Sequence, residues 1–168
     1  DVVVMDIDMP GLSAFEAASR LRSLRPETRL LFLSAFAHDT YIEQALKAGA
    51  RGYLTKSEPV EQVSHAIRQV ANGRTAFSDS VKERLVIDEA GIQLADERQT
   101  RVSTLASREL EVLRYLAQGL SKKEIASVMH ISVKTVEGHS EKLMSKLDIH
   151  DRVELARFAI REGLATPG

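Results

Sequence analysis

The sequence predicts an α/β unit built on a parallel sheet, followed by an all-α unit of four helices. Residues 1–75 alternate short apolar runs with amphipathic stretches, the pattern of a partial doubly wound sheet with its crossover helices. Residues 104–168 place their apolar side chains only at helical spacing. The polar, acidic stretch 76–103 predicts a partly helical linker between the two.

The composition is that of a globular protein and excludes several function classes. Of 168 residues, 43% are hydrophobic and 28% charged, and none is cysteine, which excludes disulfides, thiolate metal sites and cysteine nucleophiles. No apolar run is long enough to cross a bilayer, so we expect a cytoplasmic protein with no membrane partner. Because the net charge is only −1, nucleic-acid binding would depend on the local placement of charge.

In the first unit, buried strands alternate with capped helices. Ser13 and Glu16 have capping-box form, Asp39 is placed to cap the second helix, and Pro59 suits the first turn of the third. Pro26, Gly49 and Gly73 end the corresponding helices. The predicted strands and helices, in chain order, are 2–5, 13–24, 30–33, 39–47, 52–54 and 59–70.

Beyond the first unit, the pattern changes to helices alone. A short helix is predicted over 80–87, and a polar tether over 88–104. Capping boxes begin helices at Ser121 and Asp151, and Ser132 caps the helix between them. The four predicted helices are 109–117, 121–129, 132–147 and 151–162.

Polar residues end the three predicted strands. Asp6 ends the first strand, Ser34 ends the second, and Lys56 follows the third. The carboxyl ends of parallel strands form the ligand crevice of such sheets, so a carboxylate, a hydroxyl and an ammonium group are expected together. A carboxylate can attack phosphorus, while the other two groups bind phosphoryl oxygens. The alternative is three unrelated polar residues at strand ends.

Two capped helices joined by His130-Ile131-Ser132 predict a helix-turn-helix. The outer face of the second helix would enter a major groove, and the N-terminus of the first would bind phosphate through Ser121, Lys122 and Lys123. The alternative is a solvated helical hairpin. His139 falls on the inward stripe, where a packing role is expected, and the histidines do not have the spacing of a zinc site.

The helical segment resembles the LuxR-type helix-turn-helix over roughly 60 residues. The matching motifs are Ser107-Arg108-Glu109, Gly119-Leu120-Ser121-x-Lys123-Glu124-Ile125-Ala126, Ile131-Ser132-x-x-Thr135-Val136 and Lys146-Leu147. The resemblance implies that the third helix reads bases and the fourth pairs two subunits. Ala106 stands where the family often has a capping Thr, and Glu141 adds negative charge at the expected DNA face.

By position, the resemblance assigns the following roles to residues of the helical segment. Glu137, Gly138 and Glu141 face the bases. The expected phosphate contacts are Ser121, Lys122, Lys134, Thr135, Lys142 and Lys146. The fourth helix would form a homodimer through Val153, Ala156 and Ile160.

The first unit resembles the receiver domain of response regulators, and with the helical segment the chain resembles a NarL/FixJ-type regulator. The matching residues are Val4-Met5-Asp6-x-x-Met9-Pro10-Gly11, Leu33-Ser34-Ala35 and Gly52-Tyr53-Leu54-x-Lys56. The resemblance implies that Asp6 accepts phosphate from a histidine kinase, Ser34 and Lys56 sense it, and Tyr53 changes rotamer. Asp6 and the backbone carbonyl of Asp8 would bind Mg²⁺.

The family also has a βαβ unit before the phosphoacceptor strand, and only five residues precede Asp6 here. We therefore expect a receiver that lacks its first two strands and the acidic pair that completes the Mg²⁺ site. Phosphorylation of this chain should then be weak, and the first strand should form an exposed sheet edge.

The sequence predicts a DNA-binding transcriptional response regulator of a two-component system, controlled by phosphorylation of Asp6, and not an enzyme. The resemblance implies that its partners are double-stranded DNA and a histidine kinase. One alternative is a dimeric DNA-binding regulator that is independent of phosphorylation. Another is a phosphatase, because Asp6-Ile7-Asp8 also resembles the start of haloacid-dehalogenase-like enzymes, with Asp6 as nucleophile and Asp8 as general acid. Such enzymes need a further acidic pair, whereas Asp88-Glu89 falls in the predicted tether.

Overall fold

The computed structural model describes residues 1–9, 13–95 and 101–166, which fall into two compact units. Among the described residues, the first unit consists of 1–9 and 14–95, and 101–166 belong to the second. The predicted turn at Pro10-Gly11 and the middle of the predicted linker lie outside the described residues. None of the described helices is both long and apolar enough to span a membrane.

The first unit is a four-stranded parallel sheet with helices in the crossovers, as predicted. Its strands are in the order β1-β2-β3-β4. Four apolar side chains from the sheet and the third helix, Leu31, Leu54, Ala66 and Val70, form a buried cluster. The elements are β1 (Val2–Asp6), α1 (Ala14–Leu24), β2 (Arg29–Ser34), α2 (Asp39–Lys47), β3 (Ala50–Thr55), α3 (Val60–Ala71) and β4 (Ala76–Phe77).

The predicted end of the first unit at residue 75 is too early. Strand β4 pairs with β3, which places Ala76 beside Gly52 and Phe77 beside Tyr53. The predicted helix over 80–87 is also wrong beyond its first turn, since α4 (Asp79–Lys82) gives way to an antiparallel hairpin of β5 (Leu85–Asp88) and β6 (Gly91–Leu94). Asp88 and Gly91 are turn-forming residues, which the sequence analysis interpreted as part of a polar tether.

The second unit consists of four helices that follow a short 3₁₀ turn (Arg101–Thr104), and it confirms the predicted all-α pattern. The helices are α5 (Ser107–Ala117), α6 (Lys122–Met129), α7 (Val133–Leu147) and α8 (Arg152–Arg161). Their inward faces carry Leu113, Ile125, Leu143 and Leu155, each fully buried. Ser121, Ser132 and Asp151 cap α6, α7 and α8 as predicted. In the first unit, by contrast, His38 and not Asp39 caps α2.

An ion pair between a buried carboxylate and an exposed lysine joins the beginning of α5 to the end of α7. The Lys146 ammonium lies 2.7 Å from a Glu109 carboxylate oxygen and donates to the Thr104 carbonyl at 2.9 Å. The Ala106 N–H donates to the same carboxylate, which is the half of a capping box that needs no side chain at position 106. Burial by itself raises the pKa of Glu109, but these hydrogen bonds outweigh it, and the pKa lies below its ordinary value.

Gly52 offers a test of the packing between β3 and its neighbours. A Cβ at this position would lie 2.4 Å from the Leu31 side chain and 2.5 Å from the Ala76 carbonyl oxygen. We expect Gly52→Ala to lower the free energy of unfolding by about 1–3 kcal/mol, because both neighbours must move. Arg51→Ala, at the exposed adjacent position, should change it by less than about 0.5 kcal/mol. If urea denaturation showed that both variants lose the same free energy of unfolding, this packing would be contradicted.

The Glu109–Lys146 pair predicts a pH-dependent stability difference. Lys146→Met leaves a carboxylate that is 4% exposed without its cation, which should lower the free energy of unfolding by about 1–3 kcal/mol at pH 7. Because the pKa of Glu109 is depressed in the folded state, the stabilisation is present above the unfolded-state pKa of about 4.3 and is lost as the pH falls through the folded-state value.

The difference between the wild-type chain and Lys146→Met should therefore shrink below about pH 4. Urea denaturation at several pH values measures it, with Lys123→Met, which removes a charge from an exposed side chain, as the control. A difference that stays constant down to pH 3 would show that the pair does not stabilise the unit in this way.

Candidate functional site

The carboxyl edge of the first sheet brings together the predicted strand-end residues. The parallel register aligns Asp6 with Leu33, and Ser34 with Thr55, so β1, β2 and β3 end at the same edge. The backbone continues this alignment past the strands, since Ile7 N–H donates to Leu33 and Lys56 N–H donates to Ser34. Parallel pairing therefore places Asp6 and Lys56 next to each other, as the sequence predicts.

The Lys56 ammonium lies between two carboxylates. Its Nζ is 2.9 Å from Oδ2 of Asp6 and 3.2 Å from Oδ2 of Asp8. Partial burial of the ammonium lowers its pKa, but the hydrogen bonds and charges of the two aspartates outweigh this effect and raise the pKa of Lys56. The lysine therefore stays protonated and holds positive charge beside Asp6.

The side chain of Asp8 takes part in a way that the sequence analysis missed. The resemblance to receiver domains assigned a role only to the backbone carbonyl of this residue. In the structure, its carboxylate binds Lys56 and accepts the Ala35 N–H at 2.8 Å, while its own N–H donates to Oδ1 of Asp6. The Asp-x-Asp spacing was the signal for this arrangement, because Asp readily accepts from the backbone N–H two residues later.

Ser34 and Tyr53 are connected through one backbone residue, Phe36. Ser34 is fully buried and its hydroxyl accepts the Phe36 N–H at 3.1 Å. The Tyr53 hydroxyl donates to the Phe36 carbonyl at 2.6 Å, and its side chain is 1% exposed. Burial raises the pKa of Tyr53 far above its ordinary value, so the phenol remains neutral and keeps its donor proton.

The donor set at this edge suits a hard cation. Asp6 and Asp8 supply carboxylate oxygens within reach of one ammonium group, and Mg²⁺ typically takes one or two carboxylates and completes its shell with water and phosphate. Across the described residues, no cluster of three or more His, Asp or Glu side chains forms a larger metal site. Asp6 and Asp8 therefore fit Mg²⁺ in chemistry, and water and phosphate would supply the remaining ligands.

The outward face of α7 forms a polar surface in the second unit. Ser132 caps this helix by accepting the Thr135 N–H at 3.0 Å, and Val136, Ser140, Leu143 and Leu147 turn inward. The opposite face is open, and a Cβ added at Gly138 would meet nothing within 4 Å. The exposed predicted contacts on α7 are Lys134, Thr135, Glu137, Glu141 and Lys142.

The N-terminus of α6 lies near this surface. Ser121 forms a capping box with Glu124, and Lys122 is exposed and lies 3.8 Å from Glu137 of α7. Lys146 differs from the other predicted phosphate contacts, because its ammonium is committed to Glu109 and the Thr104 carbonyl within the unit. Its spacing along α7 suggested the outer face, whereas its long side chain reaches back to α5.

The predicted dimer surface lies on α8. Val153 is 59% exposed, and Ala156 and Ile160 are half-buried. Spacings of three and four residues put these side chains on one helix face. The other face carries Leu155, Phe158 and Ala159, which are buried in the core of the unit.

Comparison with known families identifies both units. Residues 1–68 match the model of the response regulator receiver domain, and residues 103–159 match that of the bacterial regulatory proteins of the luxR family. The oxygen regulatory protein NreC of Staphylococcus haemolyticus is 36% identical over 167 residues, which cover 98% of this chain and 77% of that protein. NreC of Staphylococcus aureus is 37% identical, again over 98% of this chain and 77% of that protein.

Solved structures show the same architecture. RcsB from Salmonella typhimurium aligns with a TM-score of 0.65 at 20% identity, over 96% of this chain and 74% of that one. RcsB bound to the promoter P1flhDC in the presence of phosphomimetic BeF3⁻ aligns with a TM-score of 0.61 at 20% identity, over 94% and 73%. These matches confirm the predicted fold class. The family models and the NreC relatives, which are transcription regulators, argue against the phosphatase alternative. The chain therefore belongs to the two-component response regulators that join a receiver domain to a luxR-type DNA-binding domain, a family of transcription regulators and not of enzymes.

Proposed function

We propose that Asp6 is the phosphoacceptor of this response regulator. The observation that supports it is the placement of Lys56 beside Asp6 and Asp8 at the sheet edge, 2.9 Å and 3.2 Å from their carboxylates. An oxygen of Asp6 attacks the phosphorus of a phosphohistidine on the kinase. The new O–P bond forms as the N–P bond breaks, and the histidine leaves with the bonding pair.

Asp6 and Asp8 would hold Mg²⁺, which would supply positive charge for the phosphoryl oxygens. The protein's own contribution is positional. The Asp8 N–H fixes the orientation of the Asp6 carboxylate, and Lys56 offers its ammonium to the added phosphoryl group. Since the pKa of Lys56 is raised, that charge is present throughout the physiological pH range.

The signal passes from Asp6 through Ser34 and Phe36 to Tyr53. The Ser34 hydroxyl can donate to a phosphoryl oxygen while its oxygen still accepts the Phe36 N–H, so movement of Ser34 toward the phosphoryl group pulls on the backbone of Phe36. The Phe36 carbonyl also accepts the hydrogen bond from the Tyr53 hydroxyl. A shift of the Phe36 backbone therefore changes the hydrogen bond that holds the buried Tyr53 ring in place. We propose that this rearrangement is the switch that alters the surface of the receiver domain.

The second part of the proposal is that α7 reads DNA in the major groove. Its face is open at Gly138 and carries Glu137 and Glu141 toward the bases, where a carboxylate can accept from the amino group of cytosine. The phosphate contacts are Ser121, Lys122, Lys134, Thr135 and Lys142. We assign Lys146 to holding α7 against α5 instead.

DNA binding is dimeric in this proposal. Val153, Ala156 and Ile160 form a small apolar face on α8 that a second copy can cover through a two-fold contact. Two copies joined in this way bind half-sites about one helical turn of DNA apart. A two-fold symmetric dimer of this kind would bind a palindromic DNA sequence.

Labelling with acetyl phosphate tests the phosphoacceptor. We expect the wild-type chain to incorporate a hydroxylamine-labile phosphoryl group, because an aspartyl phosphate is an acyl phosphate, and to do so at the low level that the sequence predicts. Asp6→Asn should reduce incorporation to background, since an amide is not a nucleophile toward phosphorus. Asp79→Asn, at a carboxylate that is 94% exposed elsewhere in the unit, should incorporate as much as the wild-type chain. Undiminished labelling of Asp6→Asn would refute the assignment.

The salt dependence of DNA affinity tests the phosphate contacts. Lys142→Ala should weaken binding to duplexes of every sequence and make the slope of log affinity against log salt shallower by about 0.9 for each copy bound, because one fewer counterion is released. Lys47→Ala, at an exposed lysine of the first unit, should leave the slope unchanged. Fluorescence anisotropy at four salt concentrations measures both, and an unchanged slope for Lys142→Ala would remove this residue from the interface.

A further inference from the structure

The β5–β6 hairpin leaves one edge of β5 without a partner strand. Within the described part of the first unit, β5 and β6 form a sheet of only two strands. The Ala95 N–H donates to the Arg84 carbonyl, and Val86 lies opposite Gln93. Because hydrogen-bonded and non-hydrogen-bonded pairs alternate along an antiparallel ladder, Arg84, Val86 and Asp88 use their backbone groups within the hairpin. The N–H and carbonyl groups of Leu85 and Ile87 therefore point away from β6.

This edge is apolar and exposed on both faces of the strand. Val86 is 41% exposed and Ile87 is 63% exposed, and in a strand their side chains point to opposite faces. Exposed edges with β-branched residues invite pairing with another chain, and proteins commonly protect them with a proline or an inward-pointing charge. Neither device occurs within Leu85-Val86-Ile87.

The charges around Val86 make β5 complementary to itself. We propose that β5 pairs with β5 of a second copy in antiparallel orientation, about a two-fold axis at Val86. In this register Val86 lies opposite Val86 of the other copy, and Arg84 lies opposite Asp88 on the same face. On the other face, Leu85 lies opposite Ile87. The Leu85–Ile87 pair and its two-fold equivalent join residues whose N–H and carbonyl groups point away from β6. The two strands can therefore form regular backbone hydrogen bonds.

The alternative register, centred on Ile87, is less favourable. It would place Val86 opposite Asp88 and Arg84 opposite Ala90, so that no opposite charges are paired. In the register centred on Val86, Glu83 lies opposite Glu89 at the ends, where both residues are exposed and their repulsion is screened by salt. Arg84 also bridges to Asp39 of α2, which helps to fix the hairpin against the unit.

The proposed interface is separate from the face of α8 and does not depend on the roles assigned to Asp6 or α7. It pairs receiver domains, whereas the α8 face pairs DNA-binding domains. A short two-stranded contact buries little surface, so we expect weak association that strengthens with protein concentration.

A single cysteine tests the register, because the chain contains none of its own. In Val86→Cys the two cysteines form a non-hydrogen-bonded pair across the two-fold axis, with Cα atoms about 4.5 Å apart, which is within disulfide range. Gln93→Cys is the matched control. Gln93 is exposed on the same face of the hairpin, but it lies one strand farther from the axis.

We expect Val86→Cys to form disulfide-linked dimers of the full chain at least ten times faster than Gln93→Cys under mild oxidation, as read from non-reducing gels. Equal rates for the two variants would overturn the proposal. So would a Val86→Cys rate that does not rise with protein concentration.

A second variant tests the backbone ladder. Ile87→Pro removes an N–H that the hairpin does not use but the proposed dimer does. We expect Val86→Cys combined with Ile87→Pro to crosslink at the slow rate of Gln93→Cys, with an unchanged circular dichroism spectrum. If the double variant crosslinks as fast as Val86→Cys alone, the strands do not pair. Labelling of Asp6 by acetyl phosphate should be the same in all of these variants, so failure of this interface is distinguishable from failure of the phosphoacceptor assignment.

Discussion

The interaction on which the receiver unit depends is the ion pair that holds Lys56 between Asp6 and Asp8. Two carboxylates this close repel each other, and the ammonium of Lys56 offsets that repulsion. Only a parallel sheet brings these groups together, since Asp6 and Lys56 are far apart in sequence and meet because β1 and β3 flank β2 and end at one edge. The same pairing places Ser34 at the end of β2, fully buried beside this cluster.

A comparable constraint organises the DNA-binding unit. The helix α7 is fixed at its start by the Ser132 cap and near its end by Lys146, which binds Glu109 and the Thr104 carbonyl. Arg101 adds a bond to the Leu147 carbonyl. With one face of α7 packed into the core and both ends held, its polar face is presented as a rigid surface. Rigid presentation lowers the entropic cost of docking a helix into a groove.

Much of this architecture could be predicted from the sequence because it depends on local patterns. Val2–Met5 and Leu30–Leu33 are apolar runs of strand length, and Ser121, Ser132 and Asp151 carry capping signals that act within one turn. The convergence of Asp6 and Lys56 followed from the topology rule for parallel sheets. The open face of α7 followed from helical periodicity.

The parts that were wrong or missed depend on contacts between residues distant in sequence. The strand β4 has only two residues, and its pairing with Gly52 leaves no signal in Ala76-Phe77 itself. The hairpin after α4 was hidden because Leu85–Ile87 also fits a helical pattern, so short apolar runs leave the choice between helix and strand open. Lys146 was assigned to the outer face from its position, but a lysine side chain is long enough to reach a buried carboxylate on a neighbouring helix.

Phosphoryl binding at Asp6 can be followed directly by NMR. Spectra of the ¹⁵N-labelled chain with and without beryllofluoride report on the backbone amides of Ala35, Phe36 and Lys56, which hydrogen-bond to Asp8, Ser34 and the Ser34 carbonyl. The account predicts that all three resonances shift in the wild-type chain and that none shifts in Asp6→Asn. Unchanged resonances in the wild-type chain, or equal shifts in the variant, would contradict it.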